Sequence, residues 1–194
     1  MSEIDWDEYE DKNFIRTEDG STTTIDDLIL DLSLSSAFPV GVGGTNLFKA
    51  TASMQALAYR TAKMEKHELK ELEYVMGPLL GLLVSDLNHP IAAKSAFAIR
   101  TLIASRKCLN RFVECDGIHL LGTVLDQLLV SGVDLNVLCD ERTIVENMAI
   151  IYREGARYFD KEIVVVGALR HCVRMVTYGD PTTRGIAAST LAIL

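Results

Sequence analysis

The chain has 194 residues, of which 48% are hydrophobic, and its formal net charge at pH 7 is −8. This length and apolar content predict a folded domain with a substantial core and exclude a wholly disordered chain. No apolar run reaches the roughly 18 residues that a membrane helix needs, and the acidic N-terminus lacks the pattern of a secretory signal. We therefore expect no membrane span and a cytoplasmic, or also nuclear, protein whose four cysteines remain reduced.

The negative charge is confined to one end of the chain. Residues 1–31 contain eleven acidic and two basic residues, a balance of −9, whereas residues 32–194 contain 16 acidic and 17 basic residues, a balance of +1. A nearly neutral body provides no basic footprint for nucleic acid, so we expect no nucleic-acid partner. The sequence thus divides into an acidic, partly disordered extension with its linker (1–44) and a helical domain (45–194).

The extension allows several interpretations. Residues 1–20 contain Trp6, Tyr9 and Phe14 among many carboxylates, which is typical either of a solvated leader or of a short motif whose aromatic side chains anchor in a partner. Residues 21–36 form either a short helix capped by Thr24 or a leucine-rich export-like signal. The leader could also mask a binding surface by lying near the basic residues of the body: Lys63, Lys66, Lys70, Lys94 and Arg100.

A long helix is predicted at residues 91–105, because small and apolar residues recur there at helical spacing. A short basic helix follows at 106–114, then a break at Asp116-Gly117 and a second long apolar helix from Ile118. The predicted buried face of the first helix consists of Ala92, Ser95, Ala96, Ile99, Leu102 and Ile103.

Two markers repeat along the domain. An alanine followed by a large aliphatic residue recurs at intervals of 42, 51 and 43 residues, at Ala56, Ala98, Ala149 and Ala192. A glycine that we expect to open the helix between them recurs at intervals of 40 and 50 residues, at Gly77, Gly117 and Gly167. Short segments at 67–74, 106–115 and 156–165 supply a third helix for each unit, and a period of about 40–50 residues is that of helical repeats.

The segment GIHLLGTVLDQLL, followed later by ENMAIIY, resembles the second and third helices of armadillo repeats. The resemblance covers roughly residues 45–194 and implies an all-α, right-handed superhelix: an armadillo-like solenoid of about three to four repeats. An insertion of about ten residues in the middle unit predicts a surface loop at 131–143. The last repeat reads as truncated, which leads us to expect a longer array or an end covered by a partner or a second copy.

The resemblance also implies a concave groove lined by the third helices, in which a protein partner's peptide or helix binds. The positions equivalent to the family's groove tryptophans are Gln55, Phe97 and Met148, with Leu191 in the last unit, and those equivalent to its groove asparagines are Tyr59, Thr101 and Tyr152. Neither residue type is kept, so an importin-alpha-like mode of binding nuclear-localisation peptides is not expected. The alternative for these side chains is that some belong to the core between repeats.

No motif predicts catalysis, a cofactor or a metal. Cys115 and His119 are four residues apart, but Gly117 breaks the helix between them, and no nucleotide-binding glycine motif occurs. The sequence therefore predicts a non-enzymatic scaffold or adaptor. The alternatives are a regulatory or positioning domain of a larger protein, and an assembly protein that forms a homodimer through its C-terminal repeat.

Overall fold

A computed structural model describes Leu57, Thr61 and residues 64–85, 90–130, 139–159 and 162–194. The expectations for the acidic extension, for residues 21–36, for the linker and for the boundary after residue 44 lie outside these residues. The described residues form helices and turns, without a strand among them, so the predicted all-α class is confirmed. In the same ranges, no helix is long and apolar enough to cross a membrane.

Eight α-helices and one 3-10 helix make up the described ranges. They are α1 (Lys66–Leu69), the 3-10 helix (Lys70–Val75), α2 (Met76–Ser85), α3 (Pro90–Leu102), α4 (Arg106–Glu114), α5 (Gly117–Val130), α6 (Cys139–Ala156), α7 (Glu162–Tyr178) and α8 (Pro181–Leu191).

Helix α3 closely matches the prediction. It begins at Pro90, where a proline is favourable because the first helical N–H has no intrahelical partner. Ser95 is a polar residue on the buried face, and its hydroxyl donates to the carbonyl oxygen of Leu79 in α2 at 2.5 Å. All six residues of the predicted face are buried: Ala92, Ser95, Ala96, Ile99, Leu102 and Ile103.

The predicted break between α4 and α5 is confirmed. Asp116 has a φ of 59°, a left-handed conformation that aspartate tolerates better than most residues. Gly117 then begins α5 in close contact with α4, because a Cβ at this position would overlap the ring of Phe112. The turn therefore depends on a short polar residue followed by a residue without a side chain.

The structure corrects two boundaries. Residues 139–143, predicted to be part of a loop, form the start of α6, consistent with the good helix propensity of Glu141 and Arg142. Gly167 does not open a helix, because α7 already begins at Glu162 and passes through it. A Cβ at Gly167 would lie 3.0 Å from Cγ2 of Ile118, so this glycine serves the close approach of α7 to α5.

The predicted short helix at 156–165 is not a separate element in the described residues. Its first residue ends α6, its last residues begin α7, and 157–158 form a turn. The alanine marker also fails in the last unit, since Ala192 follows the end of α8 and is exposed. The buried alanine of α8 is instead Ala187. Helix α8 begins after Asp180, whose side chain caps it by accepting hydrogen bonds from the backbone N–H groups of Thr182 and Thr183.

The helices pack in a regular order. Helix α6 contacts α3 and α8, and α5 contacts α2 and α7. In addition, α2 packs on α3 and α7 packs on α8. The apolar core runs continuously through these contacts, and the 3-10 helix and α4 add a further contact at one side of it.

Candidate protein-binding face

Of the seven positions that the resemblance places in the groove, three are described with surface available: Phe97, Thr101 and Leu191, the last residue of α8. Phe97 and Thr101 on α3 are both half-buried. The Thr101 hydroxyl donates to the carbonyl oxygen of Phe97 at 3.1 Å, one turn back along the helix. Gln55 and Tyr59 lie outside the described residues, so their role stays a prediction.

Met148 and Tyr152, the predicted counterparts on α6, cannot contact a partner in this structure. Both have 0% of their surface exposed. The physical reason is the place of α6, which is enclosed by α3 and α8 and also contacts α5 and α7. For these two positions the core alternative is the correct one.

Arg100 stands beside Phe97 and joins α3 to α6. Its guanidinium carbon lies 5.5 Å from the centre of the Phe97 ring, a cation–π distance. Its Nη1 donates to Oδ1 of Asn147 on α6 at 3.1 Å, and Asn147 is only 3% exposed. The arrangement places the guanidinium beside the Phe97 ring and ties it to α6.

Tyr152 has a polar role inside the core. Its hydroxyl lies 2.7 Å from Nδ1 of His171 on α7 and 3.5 Å from the carbonyl oxygen of Ile118 on α5. Since a buried hydroxyl without a hydrogen bond is costly, this pair holds three helices in one relative position. Gly122 on α5 makes room for it, because a Cβ there would overlap the imidazole ring of His171.

Burial governs the titration of this region. It raises the pKa of the Tyr152 phenol well above the usual value and raises the pKa of the neighbouring Cys172 thiol to about 12. Burial also lowers the pKa of His171, and the nearby charges of Arg170 and His119 lower it further. The Tyr152 phenol and the Cys172 thiol therefore remain protonated at neutral pH. The contact between Tyr152 and His171 accordingly has the character of a structural contact rather than of a nucleophile and its base.

The remaining candidates for chemistry lie apart. Cys108, Cys115 and Cys172 are free thiols, and the sulfur of Cys108 donates to the carbonyl oxygen of Leu69 at 3.1 Å. Among the described residues, no group of three or more histidine, cysteine, aspartate or glutamate side chains could hold a metal ion. Neither the Arg100–Asn147 bridge nor the Tyr152–His171 pair was found from the sequence, because both join residues of different helices and leave no local pattern.

Comparison with protein-family models, with curated protein sequences and with solved structures finds no match for this chain.

The close approach at Gly122 is testable with a matched pair of substitutions. Alanine normally stabilises a helix interior relative to glycine, so Gly185→Ala in α8, where a Cβ would meet nothing within 4 Å, should raise the free energy of unfolding by about 0.5–1 kcal/mol. Gly122→Ala should instead lower it by about 1–3 kcal/mol, because the His171 ring must move. Urea unfolding measures both values, and equal changes of the same sign would contradict the contact.

The lowered pKa of His171 predicts a pH dependence of stability. The unfolded chain binds this proton near the usual pKa of 6.5, at a higher pH than the folded chain does. The contribution is therefore fully present above about pH 6.5 and is lost as the pH falls from there through the folded-state pKa. His171→Gln should flatten the fall in unfolding free energy between about pH 7 and pH 5.

His67→Gln is the matched control, since the His67 side chain is 72% exposed. This variant should keep the slope of the unmodified chain in the same urea titrations. A His171→Gln profile that runs parallel to that of the unmodified chain would rule out the assignment.

Proposed function

We propose that this chain is a non-enzymatic scaffold or adaptor with an armadillo-like, superhelical arrangement, and that it binds a peptide or helix of a partner protein on the face of its third helices. The observation that carries the proposal is the neighbour order of α3, α6 and α8, with α6 between the other two. We take α3, α6 and α8 as the third helices of successive repeats. An armadillo-like array requires its third helices to pack side by side, and repeat proteins use the surface that these helices form for binding.

The described part of the binding surface centres on α3. Phe97 offers part of an aromatic ring, Arg100 offers a guanidinium held in place, and Thr101 borders both. Aromatic and arginine side chains held in fixed positions contribute most to interfaces, because little conformational entropy is lost when they bind. A partner segment with an apolar side chain for Phe97 and a carboxylate or carbonyl for Arg100 fits this surface. We propose cytoplasmic or nuclear localisation.

The proposal is tested by pull-down from a lysate with quantitative mass spectrometry. Phe97→Ala and Thr101→Arg should each lower the amount of at least one retained protein about tenfold or more, as expected for a loss of about 1.4 kcal/mol or more at a central contact. Binding constants of that protein, once purified, then quantify the loss.

Gln127 supplies matched controls, because it is exposed and lies on α5 rather than on α3, α6 or α8. Gln127→Ala and Gln127→Arg should retain the same proteins as the unmodified chain. Circular dichroism and urea unfolding must show that all four variants are folded. Identical retention by all four would remove the α3 face as the binding site.

Exposed valines on α7 favour self-association as a second candidate. Val166 and Val173 are 56% and 53% exposed and lie two turns apart on one side of the helix, and Ile193 beyond α8 is 39% exposed. A homodimer that buries these side chains would remove apolar surface from water.

Light scattering over a range of protein concentrations tests the dimer. The unmodified chain should show a rising mass, whereas the double variant Val166→Glu/Val173→Glu should remain monomeric and Gln127→Glu should behave like the unmodified chain. A monomer at every concentration would exclude this candidate.

A further inference from the structure

A groove of about 230 Å³ lies between α4 and the connection from α6 to α7. Its apolar floor includes Leu109 and Val164, both buried, together with the half-buried Phe159. Tyr158 is 49% exposed at the rim. The other lining residues come from α4: Asn110, Val113 and Glu114.

The groove lies beside the segment 156–165, where the sequence predicted a short helix and the described residues show none. On one flank of α4, Lys107 lies 2.8 Å from Glu73 and Cys108 donates to Leu69, so the segment before α2 covers this flank. The groove residues of α4 lie on the opposite flank. There the chain passes from the end of α6 at Ala156 to the start of α7 at Glu162 without a separate short helix among the described residues.

Two arginines lie next to Tyr158, one against its ring and one before it in the chain. The guanidinium carbon of Arg106 lies 5.1 Å from the centre of the Tyr158 ring, and Arg157, which precedes Tyr158, is exposed. Within the described ranges neither guanidinium pairs with a carboxylate, whereas Glu114 is already paired with Arg111 at 3.2 Å. The groove therefore combines an apolar floor with two cations available to an acidic ligand.

Two of the basic groups that the sequence suggested for the leader are engaged elsewhere. Arg100 donates to Asn147, and Nζ of Lys70 lies 3.7 Å from Glu71. Arg106 and Arg157 are thus better placed to receive acidic residues than the groups near the third-helix face.

One segment of the chain has the complementary chemistry. Residues 1–20 carry eight acidic and two basic residues, and within them Trp6 stands between Asp5 and Asp7. An aromatic ring with a carboxylate on either side matches an apolar floor beside the Arg106 guanidinium and Arg157, the residue that precedes Tyr158. The 36 residues between residue 20 and Leu57 reach on the order of 100 Å when extended, so chain length allows the contact.

We infer that the acidic leader of this chain docks in this groove, with Trp6 on the apolar floor and Asp5 and Asp7 against Arg106 and Arg157. The docked leader lies beside α4, where a separate short helix at 156–165 was predicted from the sequence. The inference goes beyond the proposed function, because none of the groove residues belongs to the third-helix face.

Trp6 is the only tryptophan of the chain, so its fluorescence in the full-length protein reports docking directly. In the folded chain at low salt, Trp6 should emit at shorter wavelength than in the urea-unfolded chain and should be quenched severalfold less by acrylamide. Added salt should weaken this protection, because it screens the charged contacts. Emission and quenching equal to those of the unfolded chain would overturn the inference.

Charge reversal locates the docking site. Arg106→Glu/Arg157→Glu should expose Trp6, and adding Asp5→Lys/Asp7→Lys to the same chain should restore its protection. Persistent protection in the first variant, or exposure that the second pair of changes fails to reverse, would contradict docking at this groove.

A matched control reverses two exposed arginines outside the groove, Arg170→Glu on α7 and Arg184→Glu on α8. This variant has the same net charge as the groove variant and should leave Trp6 protected. Equal exposure of Trp6 in both variants would show that net charge alone holds the leader, and would overturn the inference. Circular dichroism on each variant confirms that the helical body is folded.

Discussion

The enclosure of α6 is the constraint on which the rest of the structure depends. This helix contacts α3, α8, α7 and α5, so the polar side chains that it carries inward must find partners on other helices. Tyr152 meets His171 and Asn147 meets Arg100, and each contact joins α6 to a neighbour. The packing order is thus specified by hydrogen bonds as well as by apolar burial.

Glycine makes these contacts geometrically possible. Gly122 leaves space for the His171 ring, and Gly167 brings α7 close to Ile118 on α5. Asp126 and Arg174 form an ion pair between the same two helices at the surface. The α5–α7 junction therefore has close backbone approach in its interior and opposite charges at its edge, which together restrict how α7 packs on α5.

Periodicity predicted the elements well and their neighbours poorly. The apolar spacing around Ile99 and Leu102 correctly predicted the buried face of α3, because the buried face of a helix is marked by apolar residues at helical spacing in the local sequence. The same spacing cannot show what lies over that face, so Met148 and Tyr152 were predicted to be binding residues although α6 is covered on both sides. Gly167 was wrongly predicted to open a helix for a related reason. In the sequence alone, a glycine required by a tertiary contact cannot be distinguished from a glycine at a helix start.

The two surfaces differ in the part of the fold that forms them. Phe97 keeps part of its ring accessible beside Arg100 on α3, whereas the groove beside Tyr158 lies where the chain passes from α6 to α7. The first surface lies on a helix and the second lies beside a connection between two helices. A ligand that packs on the apolar lining of the groove and also meets the Arg106 guanidinium beside Tyr158 must supply both apolar surface and negative charge.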